Sequence, residues 1–379
     1  MRTSRLALAL LFALLFLSAA ACRRRTYTIE SPAVRRGHTA YLRYCALCHG
    51  KKAEGYAADH ANALGNRDFL AIATNDFLRK SITDGRPGTP MSSWGRVHGG
   101  PLDPSQVEDI VAYLRSLARR QFVRVDAIDS EGESAGVLPA RRPIKVTGDA
   151  QRGAPVWAER CQSCHGARGE GTPKATSVTH PNFLKNVSDG YLRTTIAKGR
   201  SGTLMEAFSA PKTGAPLSPQ NIDDLVAYIR TLEAMPGPPP PPNYEPPPGL
   251  DQLVLNPTNP PPKFALRDGR YVSSADVAKA LTEKKRLVIL DARPTPDWSR
   301  NHVAGALPFP FYDIEKMASS LPRDGTFILA YCACPHAASG HVVDELRKRG
   351  FKNTAVIDEG ITFWTTKGYP TAQAKIVEK

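Results

Sequence analysis

The chain has 379 residues, too many for one ordinary domain, and 41% of them are hydrophobic, enough to build several cores. Its 50 lysines and arginines against 36 acids give a formal charge of +14, which suits acidic redox partners or anionic surfaces as well as an ordinary solvated exterior. No basic run is interleaved with aromatic residues as a nucleic-acid reader would need, so nucleic acid is not an expected partner.

Arg2 and Arg5 precede an unbroken apolar run from Leu6 to Leu17, and Ser18-Ala19-Ala20-Ala21 follows it. This is the pattern of a secretory signal over residues 1–22, and the run is short for a membrane span. Export to the periplasm or cell envelope is the expectation. Cys22 comes directly after the small residues, and the whole segment resembles a bacterial lipoprotein signal, with Ala19 where that family prefers leucine. The resemblance implies acylation of Cys22 and a membrane anchor, with Arg23-Arg24-Arg25 beside the headgroups. A soluble periplasmic form and an uncleaved anchor are the other two readings.

Cys45-Ala46-Leu47-Cys48-His49 and Cys161-Gln162-Ser163-Cys164-His165 are two C-x-x-C-H runs. Such a run reads as a c-type haem attachment site. Two thiols at this spacing can add to the two vinyl groups of one haem. The histidine that follows is then held against the iron as its proximal ligand. Half a zinc site, a redox dithiol and a disulfide are the alternatives, and a four-thiol zinc site built from both runs would leave each histidine unexplained.

The two runs belong to a longer repeat. The motifs begin at 45 and 161, an offset of 116. Gly85 to Met91 (GRPGTPM) matches Gly199 to Met205 (GRSGTLM) at an offset of 114. Leu102 to Leu117 matches Leu217 to Leu232 at an offset of 115. A near-constant offset across three separated motifs marks a duplicated domain. In each copy a short helix carries the C-x-x-C-H, a polar loop follows, and an amphipathic helix closes the unit. Val107, Ile110, Val111 and Leu114 recur at helical spacing, as do Ile222, Leu225, Val226 and Ile229.

Each copy resembles a class I c-type cytochrome, over residues 30–120 and 148–234, with a linker at 121–147. The resemblance implies two covalently attached haem c groups. The thiols would be Cys45, Cys48, Cys161 and Cys164, and the proximal ligands His49 and His165. The Gly-Arg-x-Gly-Thr-x-Met segments resemble the loop that supplies the sixth ligand, which would make Met91 and Met205 the axial thioethers. Both methionines could instead fill core gaps. His60, His98 and His180 compete as ligands, but none matches another at the repeat offset. A six-coordinate iron with no open position points to electron transfer with a redox protein of the cell envelope.

Residues 235–262 are dominated by proline, with Pro238 to Pro242 in a row, and read as a semi-rigid extended spacer. Nothing in such a spacer places the last domain against the haem domains.

Residues 263–375 change character. Leu287 to Asp291 and Phe327 to Tyr331 are short apolar runs that read as buried parallel strands, and Thr354 to Ile357 is a third. Ser274 to Lys284 and Ala337 to Arg349 read as helices between them, an α/β pattern. Asp291-Ala292-Arg293, His302 to Ala306, Gly350-Phe351, Gly360, Trp364 and Gly368-Tyr369-Pro370 together resemble the rhodanese (sulfurtransferase) family. The expected fold class is therefore multidomain: two all-α cytochrome c domains followed by an α/β rhodanese-like domain with a central parallel sheet.

The resemblance places the nucleophile at Cys332, after a strand and before a helix, where a thiolate would gain from backbone N–H groups. It could take up a sulfane sulfur as a persulfide. The loop Cys332-Ala333-Cys334-Pro335-His336-Ala337 lacks the glycine and arginine often found there. Cys334 could resolve a persulfide on Cys332 or pair with it, and an inert docking fold is the other reading. The function expected is electron transfer coupled to small sulfur species, through sulfurtransferase or sulfur-oxidising activity at Cys332. The alternative is a plain respiratory carrier with a docking or thiol-sensing domain.

Overall fold

The computed structural model describes residues 31–55, 58, 61–86, 91–125, 146–172, 175, 177–179, 181–184, 187–200, 204–212, 214–232, 244–249, 252–333 and 337–377. Cys22 and the expected signal, His60, His180, Cys334 and His336 lie outside them.

The first copy begins with Pro32–Tyr44 (α1) and the single turn Ala46–His49 (α2). Arg67–Ile72 (α3) and Asn75–Thr83 (α4) follow, and Pro104–Val125 (α5) closes the copy. The second repeats the pattern with Ala150–Arg160 (α6), Gln162–His165 (α7), Pro181–Leu184 (α8), Asp189–Lys198 (α9) and Pro219–Thr231 (α10). Side-chain caps start the inner helices: Asn66 accepts from the Phe69 amide, Thr74 from Phe77 and Ser188 from Tyr191. Helix α10 starts with a full capping box between Ser218 and Asn221.

First and last helices of each copy cross at a glycine. A Cβ on Gly37 would lie 1.8 Å from the Asp109 carbonyl oxygen, and one on Gly153 2.1 Å from that of Asp224. An arginine one residue earlier closes each crossing. Arg36 binds Asp109 through two nitrogens at 2.6 and 2.8 Å, and Arg152 binds Asp224 at 2.8 and 2.9 Å. The Arg36-Gly37 and Arg152-Gly153 repeats are thus the joints of the two bundles.

The C-terminal part contains a five-stranded parallel sheet in the order β1-β6-β5-β2-β4. Its strands are Tyr271–Val272 (β1), Leu287–Asp291 (β2), Leu307–Pro308 (β4), Phe327–Tyr331 (β5) and Thr354–Ile357 (β6). The helices are Ser274–Thr282 (α11), Thr295–Arg300 (α12), Ile314–Met317 (α13), Ala337–Lys348 (α14) and Gly360–Thr366 (α15), with α14 lying on β5 and β6. His302–Val303 (β3) and Thr371–Ala372 (β7) form a small antiparallel pair. Every residue of β2 is buried, as a strand covered on both faces requires.

The proline-rich stretch departs from the expected free spacer. Residues 233–243 lie outside the described part, but from Tyr244 onward the chain is laid along the C-terminal domain. Glu245 donates to the Lys375 carbonyl, Leu255 exchanges backbone bonds with Leu287, and Leu253 is buried. The non-proline residues of the stretch supply the amides and side chains that hold it down. Ala33 to Lys379 forms one compact unit.

Candidate functional site

In the first copy, α1 ends at Tyr44, and the turn α2 carries Cys48 and His49 into the bundle. Gly50 stops α2 at φ +80°, and the Glu54 carboxylate occupies the space a Cβ would need. Cys45, Cys48, His49 and Met91 line one cavity of about 1020 Å³ that includes open solvent. Its remaining wall is largely apolar and includes Leu64, Phe69, Leu78, Ile82, Trp94 and Leu114. His49 Nδ1 lies 2.8 Å from the Asn62 carbonyl oxygen, so this nitrogen carries the proton and Nε2 keeps the lone pair. Burial lowers the His49 pKa, against the Asn62 bond that raises it, and so favours the neutral ring that can ligate. Burial, with Cys48 nearby, pushes the Cys45 thiol up to about 12.

The second copy repeats the glycine stop and the raised thiol. Gly166 ends α7 at φ +87° against Glu170. Burial pushes the Cys161 thiol up to about 12. His165 lies beside the Trp157 ring at 6.2 Å, and the Trp157 indole donates to the Ala167 carbonyl. The methionine loops match as well: the Arg86 amide donates to the Met91 carbonyl at 2.9 Å and the Arg200 amide to that of Met205 at 2.8 Å. Met205 is half-buried against the core, while Leu204 beside it is 80% exposed.

Two alternatives lose ground. Among the described residues no three His, Cys, Asp or Glu side chains gather into a metal cage, which a four-thiol zinc site would need. None of the four motif cysteines is joined in a disulfide among the described residues. His98 is engaged with Asp84 at 2.9 Å and is not among the residues lining the cavity.

Cys332 follows β5 at the C-terminal edge of the sheet and is 5% exposed. Its Sγ lies 3.3 Å from Ser339 Oγ, a partner on α14 that sequence reasoning missed. The Ile361 amide donates to the Cys332 carbonyl, and Gly360 (φ +69°) passes so close that a Cβ there would reach it at 2.7 Å. Asp291, Arg293 and Tyr331 form a buried network behind the loop, with Tyr331 Oη donating to Asp291 at 2.7 Å and Arg293 bound to the same carboxylate. His302 stacks on Trp298 at 4.3 Å and bonds its carbonyl, a structural role.

The sequence left the placement of the C-terminal domain open, and in the structure it sits on the first copy. Helix α14, which follows the Cys332 loop, packs against α2, which carries Cys48 and His49. Arg43 bonds Asp313 at 2.7 Å and the Tyr312 carbonyl at 3.1 Å. The rings of Tyr44 and Trp94 meet Tyr312 at 5.1 and 5.7 Å, and Trp94 meets Phe311 at 6.3 Å. Ser92, next to Met91, donates to Asp297, and Arg300 donates to Ser93 at 3.1 Å. Burial raises the Asp297 pKa. Tyr44, Ser92 and Trp94 also line the cavity, so the domain contact and the cavity share a wall.

Three family profiles match the chain: cytochrome C oxidase, cbb3-type, subunit III over residues 32–114, cytochrome c over 150–233, and the rhodanese-like domain over 274–367. Among curated proteins, the cbb3-type cytochrome c oxidase subunit FixP of Bradyrhizobium sp. (strain ORS 278) is 28% identical over 204 residues, which are 52% of this chain and 60% of that protein. The subunit CcoP of Rhodobacter capsulatus is 26% identical over 203 residues, 52% of this chain and 61% of that one. Cytochrome c-555 of Methylococcus capsulatus is 39% identical over 72 residues, 19% of this chain and 52% of that one. The match thus spans about 60% of the length of these oxidase subunits. Among solved structures, a rhodanese-like domain from Anabaena sp. is 23% identical, covers 29% of this chain and 92% of that chain, and has a TM-score of 0.26. A reducing HAO-like protein complex of Kuenenia stuttgartiensis is 21% identical, covers 52% of this chain and 96% of that chain, and has a TM-score of 0.33.

Proposed function

We propose that this chain, which carries two c-type cytochrome domains followed by a rhodanese-like domain, is a cell-envelope electron carrier that accepts electrons from sulfur bound at Cys332. The observation that carries this reading is the packing of α14 on α2. It brings the helix after the Cys332 loop against the turn that holds Cys48 and His49.

The cytochrome c domains imply covalently bound haem c, and the residues present fit it. Cys45 and Cys48 would form the thioether links of one group, and His49 and Met91 would ligate its iron, in a largely apolar cavity lined by all four. Cys161, Cys164, His165 and Met205 would hold a second. Such a group, when bound, supplies one-electron exchange, so two serve a two-electron donor.

The sulfur step has a simple balance. Hydrogen sulfide and the Cys332 thiol form one S–S bond, release two protons to solvent and give up two electrons. The persulfide then hands its sulfur to a small thiol or to a second sulfide. Cys334 would receive the outer sulfur from Cys332 before that transfer, which returns Cys332 to its thiol and needs no further oxidant. Redox partners in the envelope complete the circuit, and the similarity to subunits of cbb3-type oxidases supports a respiratory acceptor. An acyl anchor at Cys22 would hold the chain at the membrane.

One observation favours a second reading. Cys332 is almost fully buried against Ser339, which suits a domain kept for docking alone. The test is anaerobic mixing of oxidised holoprotein with sulfide, following ferrous absorption, with Cys332→Ser in parallel. Reduction that is lost in the variant supports sulfur oxidation at Cys332. Equal rates in both would leave a plain electron carrier with a docking domain.

A further inference from the structure

The two copies meet through the same residues on each side. Phe69 and Phe77 of the first copy face Phe183 and Tyr191 of the second, and each pair is related by the repeat offset of 114. Phe77 meets Phe183 at 6.2 Å and Tyr191 at 5.7 Å, and Phe69 meets Tyr191 at 6.5 Å. Two arginines with the same offset cross this joint in opposite directions. The Arg86 guanidinium lies 4.8 Å over the Phe183 ring and donates to the Ser177 carbonyl. That of Arg200 lies 5.4 Å over the Phe69 ring and donates to the Tyr191 hydroxyl. Each arginine thus leaves its own methionine loop and covers an aromatic ring of the other copy, an arrangement with pseudo-two-fold symmetry.

The position is an expensive one for positive charge. Part of the Arg86 side chain reaches solvent, yet it is deep enough that burial lowers its pKa to about 10, and Arg200 adds like-charge repulsion. Arg86 also lines the cavity that contains Cys45, Cys48, His49 and Met91, and Tyr191 of the second copy reaches into that same wall. Its place there is fixed by backbone. Gly85 turns the chain at φ +70°, and a Cβ there would strike the Ser92 backbone at 2.5 Å. Gly199 does the same against Glu206 at 2.4 Å.

We infer that Arg86 and Arg200 are carboxylate clamps for the propionate groups of the haem held in each copy. Each guanidinium bonds an anion of its own copy's haem while resting on the other copy's aromatic ring. Haem attachment therefore locks the joint between the cytochrome domains, and the joint in turn neutralises the haem's carboxylates. A guanidinium suits this because it presents a flat stacking face and an edge of five donors at once.

The test uses the full-length holoprotein and needs no sulfide, so it stands or falls separately from the sulfur chemistry. Arg86→Gln, Arg200→Gln, Arg86→Lys and the exposed control Arg35→Gln would each be titrated spectroelectrochemically, with small-angle scattering alongside. Removing a cation beside the haem favours the ferric state. The ferric-to-ferrous ratio of one haem at fixed potential should rise about tenfold in each glutamine variant, a downward shift of about 59 mV. Arg86→Lys should recover part of that shift because the charge remains, while the joint loosens because the flat face is lost. Arg35→Gln should match the wild type. Unchanged potentials in both glutamine variants, with an unchanged scattering profile, would overturn the inference. If Arg86→Gln fails to mature, Arg86→Lys with a wild-type potential and a wild-type profile would overturn it as well.

Discussion

Tyr312→Ala should undock the rhodanese-like domain from the first cytochrome domain. Tyr312 makes two ring contacts across the interface, to Tyr44 at 5.1 Å and Trp94 at 5.7 Å. Aromatic pairs contribute about 0.5–1.5 kcal/mol each beyond the area they bury, so the two together account for about 1–3 kcal/mol. The Arg43–Asp313 ion pair is partly exposed and adds about 1 kcal/mol at most. Every 1.4 kcal/mol is tenfold in an equilibrium, so the docked population relative to the open one should fall about 5- to 140-fold. The chain joining the domains keeps them near each other, which makes this a shift between docked and open forms rather than a dissociation. Small-angle scattering would show a larger radius of gyration. Sulfide-driven haem reduction should slow in parallel. A variant that keeps the wild-type radius would refute the assignment of these rings as the docking contact.

The helix crossings and a buried acid give two further expectations. Gly153→Ala sets a Cβ 2.1 Å from the Asp224 carbonyl oxygen, so α6 and α10 must part. A backbone clash of this kind should cost about 3 kcal/mol, the upper part of the overpacking range. That lowers the melting temperature by roughly 6–12 °C at 2–4 °C per kcal/mol. An unchanged melting curve would contradict the close crossing. The second expectation concerns acid. The Arg152 guanidinium, with the Asp149 amide and Gln220, holds the Asp224 carboxyl at about 2, down from 3.8. The folded value is depressed, so the stabilisation is complete above about pH 4 and is lost as pH falls toward 2. Allowing for screening of the exposed guanidinium, it amounts to roughly 1–2 kcal/mol. Arg152→Ala should therefore be destabilised near neutral pH and draw level with the wild type near pH 2. Parallel stability curves for the two proteins from pH 7 to 2 would show that the pair contributes nothing.

What could be read from the sequence was what repeats or alternates. The C-x-x-C-H runs, the matched methionine loops and the closing amphipathic helices carry their periodicity on the surface of the text. The strands Leu287–Asp291 and Phe327–Tyr331 are long enough to stand out, whereas Tyr271–Val272 and Leu307–Pro308 are two residues each and carry no pattern. The joints were not legible, because they are made by residues far apart in the chain. Arg43 and Asp313 are 270 positions apart, and Arg86 and Ser177 are 91 apart. Tyr44 and Trp94 carry no mark in the sequence of the Phe311 and Tyr312 rings that meet them. Proline content suggested a spacer, but Glu245, Leu253 and Leu255 carry the amides and side chains that fasten it to the sheet. A repeat search could have flagged Arg86 and Arg200, since both hold the same place before a matched methionine.

The most direct test of the central claim counts sulfur and electrons together. Oxidised holoprotein would be titrated with sulfide without oxygen, and haem reduction would be compared with the mass of the peptide that contains Cys332. Our account expects one added sulfur on that peptide for every two haems reduced. Full haem reduction with no sulfur on Cys332 would contradict it, and the rhodanese-like domain would then be a docking module on a plain electron carrier.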